Sequence, residues 1–169
     1  MISEKMNTAL NKQVNAEMYS AYLYLAMQAY FQRLNLKGFV NWMNIQVQEE
    51  MAHAKGLYDY IQERDGEIIL EAIEKPESNW NSPLEVFEAI YKHEQHVTAL
   101  INQLADIADE TKDRAAALFL QWYIKEQVEE EASVSGVLET LKMIKSDTHA
   151  LLLLDKELMA RVFNPPVIG

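Results

Sequence analysis

Apolar residues along this chain recur at alternating steps of three and four, the rhythm of helices that bury one face in a bundle. The stripe reads Met6, Leu10, Val14, Glu17, Ala21, Tyr24 in a first helix and Phe39, Met43, Gln46, Glu50, His53, Leu57, Tyr60 in a second. It continues as Leu84, Phe87, Tyr91, Glu94, Val97 (or Thr98), Ile101, Leu104, and then as Ala116, Leu120, Tyr123, Gln127, Glu130, Val134, Val137, Leu141. Breakers set the boundaries. The first helix runs from about Glu4 to Arg33 and stops near Asn35-Leu36-Lys37-Gly38. The second runs from about Phe39 to Arg64 and ends at Gly66, because a glycine just past a helix is a common stop. Ser82, Pro83 and Glu85 offer the third helix an N-cap, a proline suited to the first helical position and a capping box; it reaches about Glu110. Asp113 caps a fourth helix that reaches about Lys145. Ser146-Asp147 opens a shorter fifth, at about 147–163, which Asn164-Pro165-Pro166 terminates.

Connection lengths give the topology. Short links make helices one and two, and three and four, antiparallel hairpins. Residues Glu67 to Asn81 lack helical rhythm and contain Pro76. Extended at roughly 3.3 Å each, about 15 residues reach about 50 Å. That exceeds the length of a helix of about 26 residues at roughly 1.5 Å rise. Helices two and three can therefore lie parallel. The expected fold is all-α: a single domain over 1–169, with a four-helix bundle at about 4–145, one long crossover and a short fifth C-terminal helix.

Every seam is broken by a carboxylate. The helix midpoints fall at about positions 19, 52, 97 and 130, and Glu17, Glu50 with His53, Glu94, and Gln127 with Glu130 each lie within a turn of one. Hairpin symmetry agrees. Glu17 and His53 are equidistant from position 35, and Glu94 and Glu130 from position 112. Four carboxylates buried at one level cost several kcal/mol each and repel one another. A cation cluster relieves both problems, and oxygen ligands with one imidazole suit iron or manganese. A metal-free bundle would pair the carboxylates with bases, yet no Lys or Arg occupies a seam position.

Composition narrows the rest. Fifteen Lys and Arg against 26 Asp and Glu give a net charge of −11, which argues against a nucleic-acid partner. The absence of Cys excludes disulfides, thiolate metal sites and a cysteine nucleophile. No apolar stretch approaches the roughly 20 residues of a membrane span. The polar start, Met1 to Asn15, is no secretory signal, so a cytoplasmic protein is expected.

Glu17, Glu50-Met51-Ala52-His53, Glu94 and Gln127-Val128-Glu129-Glu130 resemble the dinuclear iron centre of the non-haem bacterial and archaeal ferritins. The resemblance takes in nearly the whole chain, including Tyr24, the run Glu126 to Glu131, and Leu154-Asp155-Lys156-Glu157-Leu158. It implies a ferritin-like bundle that oxidises Fe(II) with O₂ or peroxide and stores Fe(III) mineral in a homo-oligomeric cage of 24 subunits. The fifth helix resembles the one lining four-fold contacts in such cages. Glu17, Glu50 and His53 would hold one iron. Glu50 would bridge to a second, held by Glu94 and Glu130 with Gln127 nearby. Glu49, Glu126 and Glu129, with Glu130 shared, match a third, weaker iron site. Tyr24 would donate a hydrogen bond or an electron to the iron pair.

Two related readings are weaker. In bacterioferritins a Met directly after the first motif's Glu ligates haem, as Met51 could here. The second motif reads Gln127-x-x-Glu130 rather than Glu-x-x-His, which argues against haem. A rubrerythrin-type di-iron peroxidase or oxidase would want Cys pairs, and there are none. His93 and His96 flank Glu94 but point roughly 100° and 200° away from it, as surface residues do. His149 opens the fifth helix and is no ligand. Asp106, Asp109, Glu110 and Asp113 sit at a helix C-terminus, where acidic groups oppose the macrodipole. They read as an exposed acidic end or as a funnel that draws cations inward.

Overall fold

The computed structural model describes residues 2–168. Five helices follow in order: α1 Glu4–Arg33, α2 Lys37–Glu63, α3 Pro83–Glu110, α4 Arg114–Ile144 and α5 Thr148–Leu158. Most starts carry their own caps. Ser3 accepts from Met6 N, Ser82 from Glu85 N at 3.1 Å, Asp113 from Ala116 N at 3.0 Å, and Asp147 from His149 and Ala150 N. Glu85 turns its carboxylate back to Asn81 N at 2.7 Å, one residue upstream of the bond a capping box makes.

The four bundle helices end on non-glycine residues in the left-handed region: Asn35, Asp65, Lys112 and Lys145, with φ between 54° and 58°. Gly66 is therefore not the stop by virtue of its φ. Asp65 takes the left-handed turn, and Gly66 donates its N–H back to Ile61 O at 2.8 Å. A Cβ on Gly66 would lie 2.4 Å from Asn7 Oδ1, so close approach is what requires glycine there.

A ladder on α1 holds the crossover. Asn7, Asn11 and Asn15 stand one turn apart. Asn7 and Asn11 donate to Glu67 O at 3.1 and 2.8 Å, and Asn11 Oδ1 accepts from Ile69 N at 2.7 Å. Asn15 reaches Glu71 O and Ala72 O at 3.3 and 3.2 Å. Farther on, Trp80 meets the Tyr30 ring edge-on at 5.7 Å. The crossover thus climbs the length of α1, and α3 starts level with the start of α2 and parallel to it, as the loop length implies.

The core falls into two clusters. One gathers Tyr24, Met27, Phe31, Phe39, Trp42, Phe87 and Leu138; the other gathers Met6, Leu10, Leu57, Ile61, Ile101, Leu104 and Leu120. Between them lies a polar level made by the seam carboxylates. The seams drift at their ends. Val86, Ile90 and Leu138 are buried where strict three-four spacing names Leu84, Tyr91 and Val137, which are only part-buried. A straight helix slips by about 20° per heptad against that spacing.

Helix α5 does what α2 cannot do for itself. Leu36, at the α2 N-cap, makes no side-chain bond. Buried Asp155 on α5 fills in, accepting from Gly38 N at 2.7 Å and Phe39 N at 3.1 Å. The two elements touch so closely that a Cβ on Gly38 would fall 1.6 Å from Asp155 O. Helix α5 is shorter than the expected 147–163. Asn41 Nδ2 donates to Leu158 O at 3.2 Å and Arg161 O at 3.0 Å. The chain peels away from the helix there, well before Pro165.

Asp155→Ala removes an anionic cap and should cost about 1–2 kcal/mol, a fall in Tm of about 2–8 °C for a chain of this size. Scanning calorimetry of the metal-free protein measures it, and an unchanged Tm would mean that α5 does not hold α2.

Candidate metal centre

The polar level between the two core clusters holds Glu17 from α1, Glu50 and His53 from α2, Glu94 from α3, and Gln127 and Glu130 from α4, all buried. His53 is central. Its Nδ1 lies 3.4 Å from Glu50 Oε2 and 4.0 Å from Glu17 Oε2, and its Nε2 lies 3.9 Å from Glu126 Oε1. Ligand atoms of Glu17, Glu50 and His53 fall within 4.8 Å of one another, as do those of His53, Glu126 and Glu130. His53 thus joins two donor sets.

Three glutamine amides hold three of the carboxylates. Gln13 Nε2 donates to Glu17 Oε1 at 2.8 Å, Gln46 Nε2 to Glu130 Oε2 at 2.9 Å, and Gln127 Nε2 to Glu94 Oε2 at 3.2 Å. The Tyr24 hydroxyl donates to Glu94 Oε1. Tyr123 OH donates to His53 O at 2.8 Å, and Trp122 stands edge-on to the His53 ring at 5.4 Å. An amide can donate to a carboxylate without cancelling its charge, so the site is oriented yet stays acidic. Glu17 Oε2 and His53 Nε2 remain buried without a hydrogen-bond partner among the described residues. Buried polar atoms are normally satisfied, so orphaned donors and acceptors facing one cluster mark a place for something else. Carboxylate oxygens with an imidazole nitrogen fit an iron-type cation.

Electrostatics say the same. Burial, reinforced by Glu94, Glu17 and Glu130, holds the Glu50 carboxyl well above the ordinary range. Burial and the Glu94 and Glu49 charges do the same for Glu130. Glu17 is raised by burial, and Glu94 is pushed up to about 7, again chiefly by burial. Burial lowers His53 to about 4, so its imidazole is neutral and carries a ligand lone pair at neutral pH.

The adjacent row behaves differently. Glu126 is part-buried beside His53. Glu129 is exposed and pairs with Lys125 at 3.4 Å, and the structure does not bring it to the others. Glu49 accepts from Arg161 Nη2 at 2.7 Å. Met51 is half-exposed. His93 is not a surface residue. It packs against α1, 2.8 Å from Ser20 Oγ and beside the Tyr19 ring, and burial lowers it to about 4. Half the acidic end of α3 is committed elsewhere: Glu110 pairs with Lys5, and Asp113 caps α4 and binds Arg64 at 3.0 Å. Asp106 and Asp109 stay exposed.

Sequence reasoning passed over Gln13, gave Gln46 no role and did not see Arg161. Gln46 broke the α2 stripe one turn before Glu50, a signal that could have been used. Gln13, one turn before Glu17, lay beside the stripe and gave none.

Fold and site together define a helical bundle built around a buried cluster of carboxylates and one imidazole, fit to take cations. Residues 7–144 match the Ferritin family, a ferritin-like domain. A bacterial non-heme ferritin of Bacteroides fragilis is 46% identical over 142 residues, 84% of this chain and 89% of its own. One from Staphylococcus saprophyticus is 40% identical over 164 residues, 97% of this chain and 98% of its own. The solved structure of an Archaeoglobus fulgidus ferritin engineered into a closed form superposes with a TM-score of 0.95 at 54% identity, covering 97% of this chain and all of that one. The chain belongs to the ferritin family, and iron storage is its function.

Metal-free protein should lose stability as pH rises from ~5 to ~8, through the raised Glu94 value near 7. Over that range the folded carboxyls hold protons that the unfolded chain has released, so the slope of stability against pH is negative. His53 and His93, both lowered to about 4, oppose this only below their ordinary value of 6.5. Melting of metal-stripped protein at pH 6 and pH 8 checks the sign, and Zn²⁺ at pH 8 should restore the loss while releasing protons. A Tm that climbs with pH would mean the seam carboxylates are already ionised.

Proposed function

We propose that this chain oxidises Fe(II) at a centre made by Glu17, Glu50, His53, Glu94 and Glu130, and passes Fe(III) to mineral held inside a shell of its own copies. The observation that carries this reading is the buried level itself: four carboxylates and a neutral imidazole with orphaned ligand atoms. Iron is the substrate. Glu17, Glu50 and His53 take one ion; Glu94 and Glu130 take a second, with Glu50 between them and Gln127 steadying Glu94. Binding displaces the protons that burial keeps on the carboxyls. Two Fe(II) then give up two electrons; with two protons these convert O₂ to hydrogen peroxide, or hydrogen peroxide to two waters. Carboxylates favour the harder Fe(III) product because they neutralise its charge. Tyr24 holds Glu94 in place and lies within reach to supply an electron.

The reading extends to assembly and location. Leu118, Val128, Met143, Leu152 and Leu153 each stand more than half exposed, which supports burial between copies in a homo-oligomer of 24 subunits. No helix among the described residues is long and apolar enough to cross a membrane, and the cytoplasm is the proposed location. Glu126, with Glu49, Glu129 and shared Glu130, forms the proposed third, weaker iron site. Haem has no part in this reading.

Glu50→Gln keeps the shape of the side chain and removes the shared charge. Rapid aerobic Fe(II) oxidation should fall by more than ~10-fold, with helicity and assembly mass unchanged. Oxidation at the parent rate would place the chemistry elsewhere.

A further inference from the structure

The C-terminal segment after α5 lies along one stripe of α2, seated at three points. Asn41 holds the Leu158 and Arg161 carbonyls. Two turns on, Glu49 accepts from Arg161 Nη2 at 2.7 Å. Two further turns on, Gly56 leaves room for Ile168, whose Cδ1 would lie 2.8 Å from a Cβ placed there. Positions 41, 49 and 56 share a helix face by their spacing of eight and seven. That face carries Glu49, and Glu126 stands across from it on α4.

The guanidinium is held, but incompletely. Its carbon sits 4.8 Å over the Trp42 ring, a cation–π contact. One amino group meets Glu49; the other, Nη1, is buried with no acceptor among the described residues. Arg161 and Glu49 are both mostly buried, at 24% and 17% side-chain exposure, so their charges act on each other with little screening. The Arg161 charge is also felt at Glu130.

We propose that Arg161 is a resident counter-cation of the third iron site: its guanidinium occupies the place on Glu49 that an incoming ion must take, so the C-terminal segment and the third cation bind in competition. The inference rests on reading Glu49, Glu126, Glu129 and Glu130 as that site. Without metal, Arg161 relieves the repulsion between Glu49 and Glu126. A divalent ion entering the same carboxylates is repelled by the guanidinium and must expel it, which frees the segment from Trp42 and Glu49. By linkage, a docked segment weakens the third ion by the same factor that the ion loosens the segment. The two seam ions, which share only Glu130 with the third site, feel this less. Arg161 thus keeps the third site weak and lets it empty readily.

The test uses full-length, assembled, metal-stripped protein and Zn²⁺, which binds without redox chemistry. Calorimetric titration should resolve two tighter equivalents and a third, weaker one. Arg161→Gln should tighten the third by about 10-fold and change the first two far less, while Arg161→Lys, which keeps the charge, should stay near the parent. Hydrogen exchange needs no variant: peptides covering residues 160–168 should exchange faster once the third equivalent is bound. A third equivalent whose affinity is the same in parent and Arg161→Gln, or a segment whose exchange ignores Zn²⁺, overturns the competition alone. Titrations that stop at two equivalents in both proteins overturn the third site and the proposal with it.

Discussion

Four carboxylates at one buried level repel one another and forfeit their hydration, and much of the remaining structure answers that conflict. In water each would be ionised and solvated. Inside the bundle an unpaired charge costs several kcal/mol, so Glu50 and Glu130 are pushed far above their ordinary range. Salt bridges could have removed the problem, but the seams hold no Lys or Arg. The glutamines at 13, 46 and 127 hold the carboxylates without neutralising them. A cluster arranged in this way favours protons when empty and cations when they arrive. Instability of the empty state and fitness for a cation share one cause.

That conflict explains why the bundle is split. Aromatic packing dominates one cluster, where Phe31 stacks on Phe39 at 4.8 Å and Trp42 packs on Phe87 at 5.1 Å. Aliphatic residues dominate the other, with Tyr60 stacked on Phe119 at its edge. Each cluster packs the helices together on its own side of the polar level. The crossover is tied along α1 by side-chain amides, with Ile68 and Trp80 packed against the two clusters near its ends, and it delivers α3 with Glu94 at the polar level.

The site was legible because burial and ionisation contradict each other. Glu17, Glu50, Glu94 and Glu130 were conspicuous as charges in apolar stripes, and hairpin arithmetic put them at one depth. The helices were legible from their caps, as at Ser82 and Asp113. What stayed hidden depends on contacts across long stretches of chain. Asp155 caps α2 from 117 residues away, and Arg161 reaches Glu49 from 112. Neither breaks a local pattern: Asp155 reads as an ordinary polar residue of α5, and Arg161 as part of a helix that in fact ends at Leu158. His93 was misjudged for a related reason. Its angle from Glu94 is right, but α1 lies close enough on that side for Ser20 to meet it.

Charge is compensated in three ways as one moves outward from His53. At the centre, burial favours the protonated forms of Glu50 and Glu130. One row out, Glu49 is compensated by a guanidinium, and Glu126 remains part-buried beside the imidazole. Farther out, Glu129 is solvated and pairs with Lys125. Each step lowers the free energy a cation gains by binding, because the charge it replaces is progressively better satisfied without it. Such a gradient favours a cation at the centre over one at the margin.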